Sequence, residues 1–374
     1  MASIGIAGAG LLGRLLAWQL QRDGHAVQVF DPAAGPEPLF DGRGPAGFSA
    51  AGMLSPLAEL DHADTGIAAL GWRSLALWPG ITARLGAPQL FVQRGSLLLA
   101  HRGDRGAAER VLARLARAPA DWPRPQALDA AALAALEPAV HGIAHAWLLP
   151  GEAQIDPPAT LQRLHEKSAG VRWCWGKRIG QVLPGALSYE DGTVLRFDTV
   201  FDVRGLGARD AAREAPNGAP ALARLRGVRG ETVWLHAPAH GLERPLRLLH
   251  PRHPVYLVPR GPDRVFLGAS EIETEDRSPV SLRSAVELMA AAHSAVAGLA
   301  EARIERLDRN LRPALPDNGP LTEVQPGLVR INGLFRHGWL MAPALVADAL
   351  AAAGLALGPA AAALSESLRD TLHA

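Results

Sequence analysis

The chain has 374 residues, 48% of them hydrophobic, and a formal net charge of +1, enough for two domains with large cores. That charge balance leaves no basic field for nucleic acid. The single cysteine, Cys174, excludes an internal disulfide and a CxxC metal site and fits a reducing compartment. The apolar N-terminal stretch is broken by glycines, Arg14 and Gln19. It therefore reads as neither a signal peptide nor a membrane span, and a cytoplasmic protein is expected.

The first thirty-one residues read as strand, glycine turn, helix, strand and acid. Ser3 to Ala7 is an apolar run of strand type; Gly8, Gly10 and Gly13 form G-x-G-x-x-G (GAGLLG). Leu12, Leu15, Leu16 and Leu20 recur at helical spacing, Gly24 closes that helix, and Ala26 to Phe30 is a second strand ending at Asp31. In such a unit Gly8 makes the tight turn, Gly10 admits a pyrophosphate to the backbone, and Gly13 lets helix approach strand. The helix N-terminus offers free N–H groups and its positive dipole end. Asp31 falls roughly 20 residues beyond the last glycine, where an acid bonds a ribose hydroxyl.

Further on, the small residues of Phe48 to Leu54 (FSAAGML) suggest the start of a helix whose backbone can approach a ligand. Asp64 caps a predicted helix running to about Gly86. Leu90 to Leu99 alternates as one strand, and Arg105 to Arg117 is an amphipathic helix followed by the proline-rich loop Ala118 to Gln126. Ala130 to Leu136 is a short helix, Trp147 to Leu149 a strand, and Asp156-Pro157 an N-cap with proline at N1. Val171 to Phe197 reads as a hairpin turning at Asp191-Gly192. Thr199 to Val203 is a buried strand leading to Gly205, and Leu222 to Ser270 is β-rich and antiparallel. Helices are predicted over Pro279 to Glu301 and Ala342 to Ala353, a strand over Leu328 to Asn332, and a last helix opening at Ala360 to Ala363. A closing strand and helix can return to the first sheet, so the domains are expected to interleave. Asp61, His62 and Asp64 are better read as a polar loop than as metal ligands, and no metal is expected.

Seven stretches, in order, resemble the D-amino-acid oxidase superfamily of flavoproteins, in particular its glycine oxidase branch linked to thiamine biosynthesis. They are GAGLLG (8–13), SAAGML (49–54), LLPGEAQIDP (148–157), VYLVPR (255–260), FLGAS (266–270), LRPALPDN (311–318) and GLFRHGWLMAP (333–343). The resemblance implies an α/β fold in which an FAD-binding Rossmann-type (GR2-like) domain, residues 1–80, 140–218 and 305–374, interleaves with a substrate domain of antiparallel sheet and helices, residues 81–139 and 219–304. It implies FAD in place of NAD, and noncovalent FAD, since the superfamily's tethering cysteine lies late in the chain and none follows Cys174. The flavin nucleotide would be met by Gly8, Gly10, Leu11, Leu12 and Gly13, with Asp31 and Pro32 at the adenosine ribose and Ile179 and Gly205 nearby. Ser49, Ala51, Gly52 and Met53 would lie by the flavin, and Leu334, Phe335, Arg336, His337, Gly338, Trp339 and Leu340 would wrap its ring.

By the same resemblance Arg312 grips the substrate carboxylate, Tyr256 adds a hydroxyl contact and Arg336 is a second pocket arginine. A planar guanidinium holds a carboxylate through two parallel bonds. Glu271 stands where the branch places a methionine over the pocket; it either pairs with a substrate amine or a basic side chain, or faces solvent with Glu273, Glu275 and Asp276 on an acidic loop, the simpler expectation. The implied activity is oxidative deamination of a small amine or amino acid of glycine, sarcosine or D-amino-acid type. The α-hydrogen leaves as hydride to flavin N5, O2 reoxidises the flavin to give H2O2, and the imine hydrolyses or passes to thiazole synthesis. Three rivals stand beside it: an FAD dehydrogenase handing electrons to a quinone or partner subunit, a non-catalytic flavin-binding assembly subunit, and a nicotinamide-dependent enzyme. Relatives often form tetramers, so a homo-oligomer is in keeping with the resemblance.

Overall fold

The structure, a computed structural model, describes residues 1–214, 219–249 and 255–355; the helix expected after Pro359 lies outside them. Two large sheets carry the chain. The first has six strands in the order Leu321–Gln325, Leu328–Asn332, Thr199–Asp202, Ser3–Ala7, Ala26–Asp31, Arg172–Trp175. All neighbours are parallel except the outermost Leu321–Gln325, which joins Leu328–Asn332 as a hairpin. The closing strand thus does return to the first sheet, beside Thr199–Asp202.

The Leu11–Arg22 helix crosses from the first strand to the second and buries Leu11, Leu12, Leu15, Leu16 and Leu20. Each such leucine contributes roughly 2 kcal/mol when taken from water. The helix packs with Gly338–Ala352 and Thr65–Arg84 in one apolar core. On the opposite face a three-stranded meander, Ile179–Leu183, Ala186–Tyr189 and Val194–Arg196, covers the sheet. A Cβ at Gly5 would meet Phe197 at 2.6 Å and Leu187 at 2.9 Å, so this glycine sets how closely the meander docks. The meander turns at Asp191-Gly192 as expected: Gly192 has φ 86°, and Asp191 Oδ1 accepts from the Thr193 N–H at 2.8 Å. On the strand Arg172–Trp175, Trp173 and Trp175 stack on one face, and Cys174 joins Phe30 and Ile179 on the other.

The second sheet has eight strands in the order Arg303–Ala314, Arg226–His236, Arg264–Gly268, Val255–Arg260, Leu246–Leu248, Ser96–Ala100, His145–Leu149, Gln126–Leu128. The Leu282–Ala295 helix covers one face. His145–Leu149 and Arg303–Ala314 belong to this sheet. By strand pairing the chain therefore leaves the substrate side later than boundaries at 140 and 305 imply.

Several local expectations are corrected. Phe48 to Leu54 does not open a helix: a short 3-10 turn, Ala46–Ser49, gives way to the strand Met53–Leu54. Gly52, at φ 64°, breaks any helix there, and a Cβ on it would lie 2.1 Å from the Ile155 carbonyl oxygen. Leu90 to Leu99 is not one strand. Gly95, at φ 75°, divides it into Phe91–Val92, which pairs with Ala153–Ile155, and Ser96–Ala100 in the large sheet. The helix predicted from Pro279 starts at Leu282 behind the Ser281 cap and ends at Ala295. The helix predicted from Ala342 starts earlier, at Gly338, with Pro343 inside its first turns.

Candidate active site

One cavity of about 1740 Å³ runs between the two sheets, and its walls come from six of the seven segments that the motifs single out, all but Leu148 to Pro157. At one end lies the glycine turn. Gly8 has φ 108°, and a Cβ on it would meet the Val203 carbonyl oxygen at 2.7 Å; on Gly13 it would lie 1.9 Å from the Gly8 carbonyl oxygen. Gly10 caps the Leu11–Arg22 helix without a side-chain hydrogen bond. Gly10, Leu11 and Leu12 line the cavity, so the unpaired first-turn N–H groups are available to an anion. Gly13 does not line it: its part is to let the helix pack on the turn.

Asp31 lines the same end and is buried. Its Oδ2 accepts from the Ala9 N–H at 2.7 Å and its Oδ1 from the Ala33 N–H at 2.9 Å. The carboxylate therefore ties the glycine turn to the loop after the second strand, and each oxygen keeps a further lone pair for a ligand hydroxyl. Pro32, Ile179 and Gly205 also line this end. Arg204 braces it, donating to the Ile179 carbonyl at 2.7 Å while pairing with Asp202 at 2.8 Å.

The middle of the cavity is lined by Ser49, Ala51, Gly52 and Met53 from one side and Leu334 to Trp339 from the other. Ser49 Oγ accepts from Asn310 Nδ2 at 2.8 Å, the Ala51 carbonyl accepts from Arg260, and the Gly52 carbonyl accepts from the Ile155 N–H at 2.8 Å. His337 caps the Gly338–Ala352 helix without a side-chain bond, so a second uncapped helix N-terminus abuts the cavity at Gly338. Trp339 Nε1 donates to the Gly47 carbonyl at 3.0 Å, and its ring stacks on Trp78. Leu340 does not wrap the cavity as expected. It is buried in the core, where a Cβ on Gly71 would press it at 2.8 Å.

The far end is the face of the eight-stranded sheet. Arg312 and Tyr256 reach over it because two glycines leave space: a Cβ on Gly230 would lie 2.4 Å from Arg312 Nη2, and one on Gly268 2.4 Å from Tyr256 Cε2. Arg312 Nη1 donates to the Ser270 carbonyl at 3.1 Å. Among the described residues no carboxylate pairs with Arg312. Burial pushes the Tyr256 phenol above its ordinary value, partly offset by Arg312, Arg247 and a hydrogen bond from Arg312.

Two residues here were missed by sequence reasoning. Glu59 lines the cavity, nearly buried, at the end of the short helix Pro56–Glu59. Its carboxylate takes Arg336 Nη2 at 3.0 Å, His337 Nδ1 at 3.3 Å and Arg247 Nη2 at 3.8 Å. Burial would raise its pKa, but Arg336, then His337 and Arg247, outweigh that and hold it well below the ordinary carboxylate value. Arg247 stands directly across from Tyr256 on the neighbouring strand and also lines the cavity. Neither carries a motif; only alternation along Leu246–Leu248 hints that Arg247 points away from the leucine face.

Glu271 lines the cavity as well, and Arg336 Nη1 lies 3.5 Å from its Oε2. Its side chain stays 42% exposed, so Glu271 lies on the solvated acidic loop as expected and also reaches a basic side chain of the pocket. Glu273 pairs with Arg226 at 3.0 Å, Glu275 with Arg209, and Asp276 with Arg229 at 3.4 Å, so each acid of the loop is clasped to the body. Asp61 pairs with His62 at 2.8 Å and Arg114 at 2.5 Å, and Asp64 caps the Thr65–Arg84 helix, which leaves neither poised as a metal ligand.

A cavity with a glycine-turn cradle and two uncapped helix ends is the architecture of a flavin nucleotide site. The chain belongs to the family of FAD-dependent oxidoreductases (DAO), whose model matches residues 3–353. A Rhizobium etli protein, named provisionally as thiamine biosynthesis oxidoreductase ThiO, is 35% identical over 344 residues, covering 92% of this chain and 94% of that one. Among solved structures, glycine oxidase from Geobacillus kaustophilus superposes with a TM-score of 0.78 at 22% identity, covering 96% of both chains. Iminodiacetate oxidase from Chelativorans sp. BNC1 superposes with a TM-score of 0.73 at 24% identity, covering 94% of both. The fold is thus the glycine oxidase fold, and FAD is the cofactor. Among the described residues no helix is long and apolar enough to cross a membrane.

Proposed function

We propose that this chain is a cytoplasmic amine or amino-acid oxidase of glycine oxidase type. It would act on a small amino acid or an N-substituted relative, with noncovalent FAD and O2 as acceptor. The observation that carries this reading is Arg312: a guanidinium laid on the sheet face over Gly230, beside the Tyr256 phenol whose acidity it raises, and without a carboxylate partner among the described residues. Such a group holds one substrate carboxylate through paired bonds and fixes the orientation of the α-carbon. The names of the R. etli relative and the G. kaustophilus structure support the same chemistry and a contribution to thiamine biosynthesis.

Gly8, Gly10, Leu11 and Leu12 would hold the pyrophosphate, Asp31 and Pro32 the adenosine ribose, and Ser49 to Met53 with Leu334 to Trp339 the flavin ring. FAD, when bound, supplies the two-electron acceptor for the substrate's α-hydrogen. The protein's own residues supply position. Arg312 and Tyr256 hold the carboxylate, and the sheet face and the Ala51–Gly52 backbone wall the site. The amine must lose its ammonium proton before oxidation, and no side chain is assigned as a base for that step.

An anaerobic screen of the FAD-loaded protein against glycine, sarcosine, proline and D- and L-amino acids tests the reading. Bleaching of the flavin by one or more of these, followed by oxygen uptake and H2O2 on readmitting air, is the expected result. A flavin that none of them bleaches overturns it; bleaching without oxygen uptake turns the enzyme into a dehydrogenase.

A further inference from the structure

The substrate end holds three guanidinium groups, Arg247, Arg312 and Arg336, and two carboxylates, Glu59 and Glu271. Their pairing is uneven. Glu59 takes both Arg336 and Arg247, and Glu271 takes Arg336 again. Arg312 is left with the Ser270 backbone carbonyl, beside the Tyr256 phenol. Strand order puts Arg247 on one side of Tyr256 and Arg312 on the other, so the two cations converge on the phenol from opposite flanks. Glu152, the next acid behind Arg247, is fully buried; burial raises its pKa, and it is bonded to Ser96 and the Ala58 N–H. Glu59 is thus the principal ion-pair partner of the second cation pair.

We propose that Glu59 sets the acidity class of the substrate: lying on Arg336 and Arg247, it occupies the place a second substrate carboxylate would take, so the pocket accepts amines with one carboxylate and rejects those with two. This rests on the oxidase reading and narrows it. A diacid entering with one carboxylate on Arg312 would bring the other against Glu59. Like charges so placed are strongly disfavoured. Glu59 acts through the two arginines and is a positioning and selecting residue.

The test uses FAD-loaded protein titrated with acetate and with malonate, followed by the change in flavin absorbance. Wild type should bind acetate at least about tenfold more tightly than malonate, the least that such charge opposition implies. Glu59→Gln should shift that ratio toward malonate by about tenfold or more. Arg336→Met in the Glu59→Gln background should cancel the gain. Glu59→Asp, which keeps the charge, should retain the wild-type preference. Wild type binding malonate as well as acetate overturns the proposal, and this comparison needs no variant. So does a Glu59→Gln ratio unchanged from wild type, or an equal loss of preference in Glu59→Asp. Amine bleaching is scored separately: acid selectivity without oxidation of any amine sinks the oxidase reading and leaves the selector standing, and unselective oxidation does the reverse.

Discussion

The two ends of the cavity hold their ligands by different means. At Gly8–Gly13 the wall is backbone: tight φ angles, missing Cβ atoms and the uncapped end of a helix, with one carboxylate, Asp31, spent on stitching the turn together. At Tyr256 the wall is side chain: guanidinium and carboxylate groups drawn from five separate segments, all but Arg312 paired with each other. A backbone site tolerates no added atom, because nothing can move aside. A side-chain site tolerates substitution structurally and answers it with changed affinity.

The largest effect should follow from crowding the first end. In Gly13→Val the new Cβ would start 1.9 Å from the Gly8 carbonyl oxygen. That exceeds ordinary overpacking, which costs up to roughly 3 kcal/mol, or about a hundredfold in binding. The variant should purify without yellow colour, and FAD titration should show at least that loss. A Gly13→Val protein that retains normal FAD content would show that the turn is less rigid than its contacts imply.

Next comes Arg312→Ala. Removing a charge-assisted pair costs about 1.5–3 kcal/mol, so KM for a carboxylate-bearing substrate should rise roughly ten- to a hundredfold, while FAD content stays normal. An unchanged KM would remove Arg312 from substrate binding and blur the contrast between the two ends.

The smallest effect is on stability. Glu59 titrates below its unfolded value, so its ionised form stabilises the fold. That contribution is complete above the unfolded carboxyl pKa of about 4.3 and is lost as pH falls through the lower folded value. Near neutrality Glu59→Gln should therefore be less stable than wild type by roughly 1–3 kcal/mol. The gap should narrow in thermal melts taken below the ordinary carboxylate range. A gap independent of pH would mean that packing, not charge, is what Glu59 supplies.

These differences mirror what could be read from residues alone. The cradle was legible because its chemistry is local: G-x-G-x-x-G, the apolar helix behind it and the acid at the strand end lie within thirty-one residues. Glu59 was not, because its partner Arg336 is 277 residues away and nothing in SPLAE marks one glutamate among many. Glu271 was half legible. Its run of acids faces water, as such runs ordinarily do, but only the fold brings Arg226, Arg209, Arg229 and Arg336 beside it. Leu340 was misplaced for a simpler reason: adjacency to Gly338 in sequence does not tell which side of a helix faces the ligand.

By itself the sequence determined the dinucleotide turn, the alternation of helices and strands and the family, all of which depend on short-range periodicity or on motifs held in order. Tertiary structure alone decided which charges neutralise which. Ion pairing depends on distances of a few ångströms between residues hundreds apart, so the partner of Arg336 and the freedom of Arg312 came into being only when the two sheets closed on one cavity.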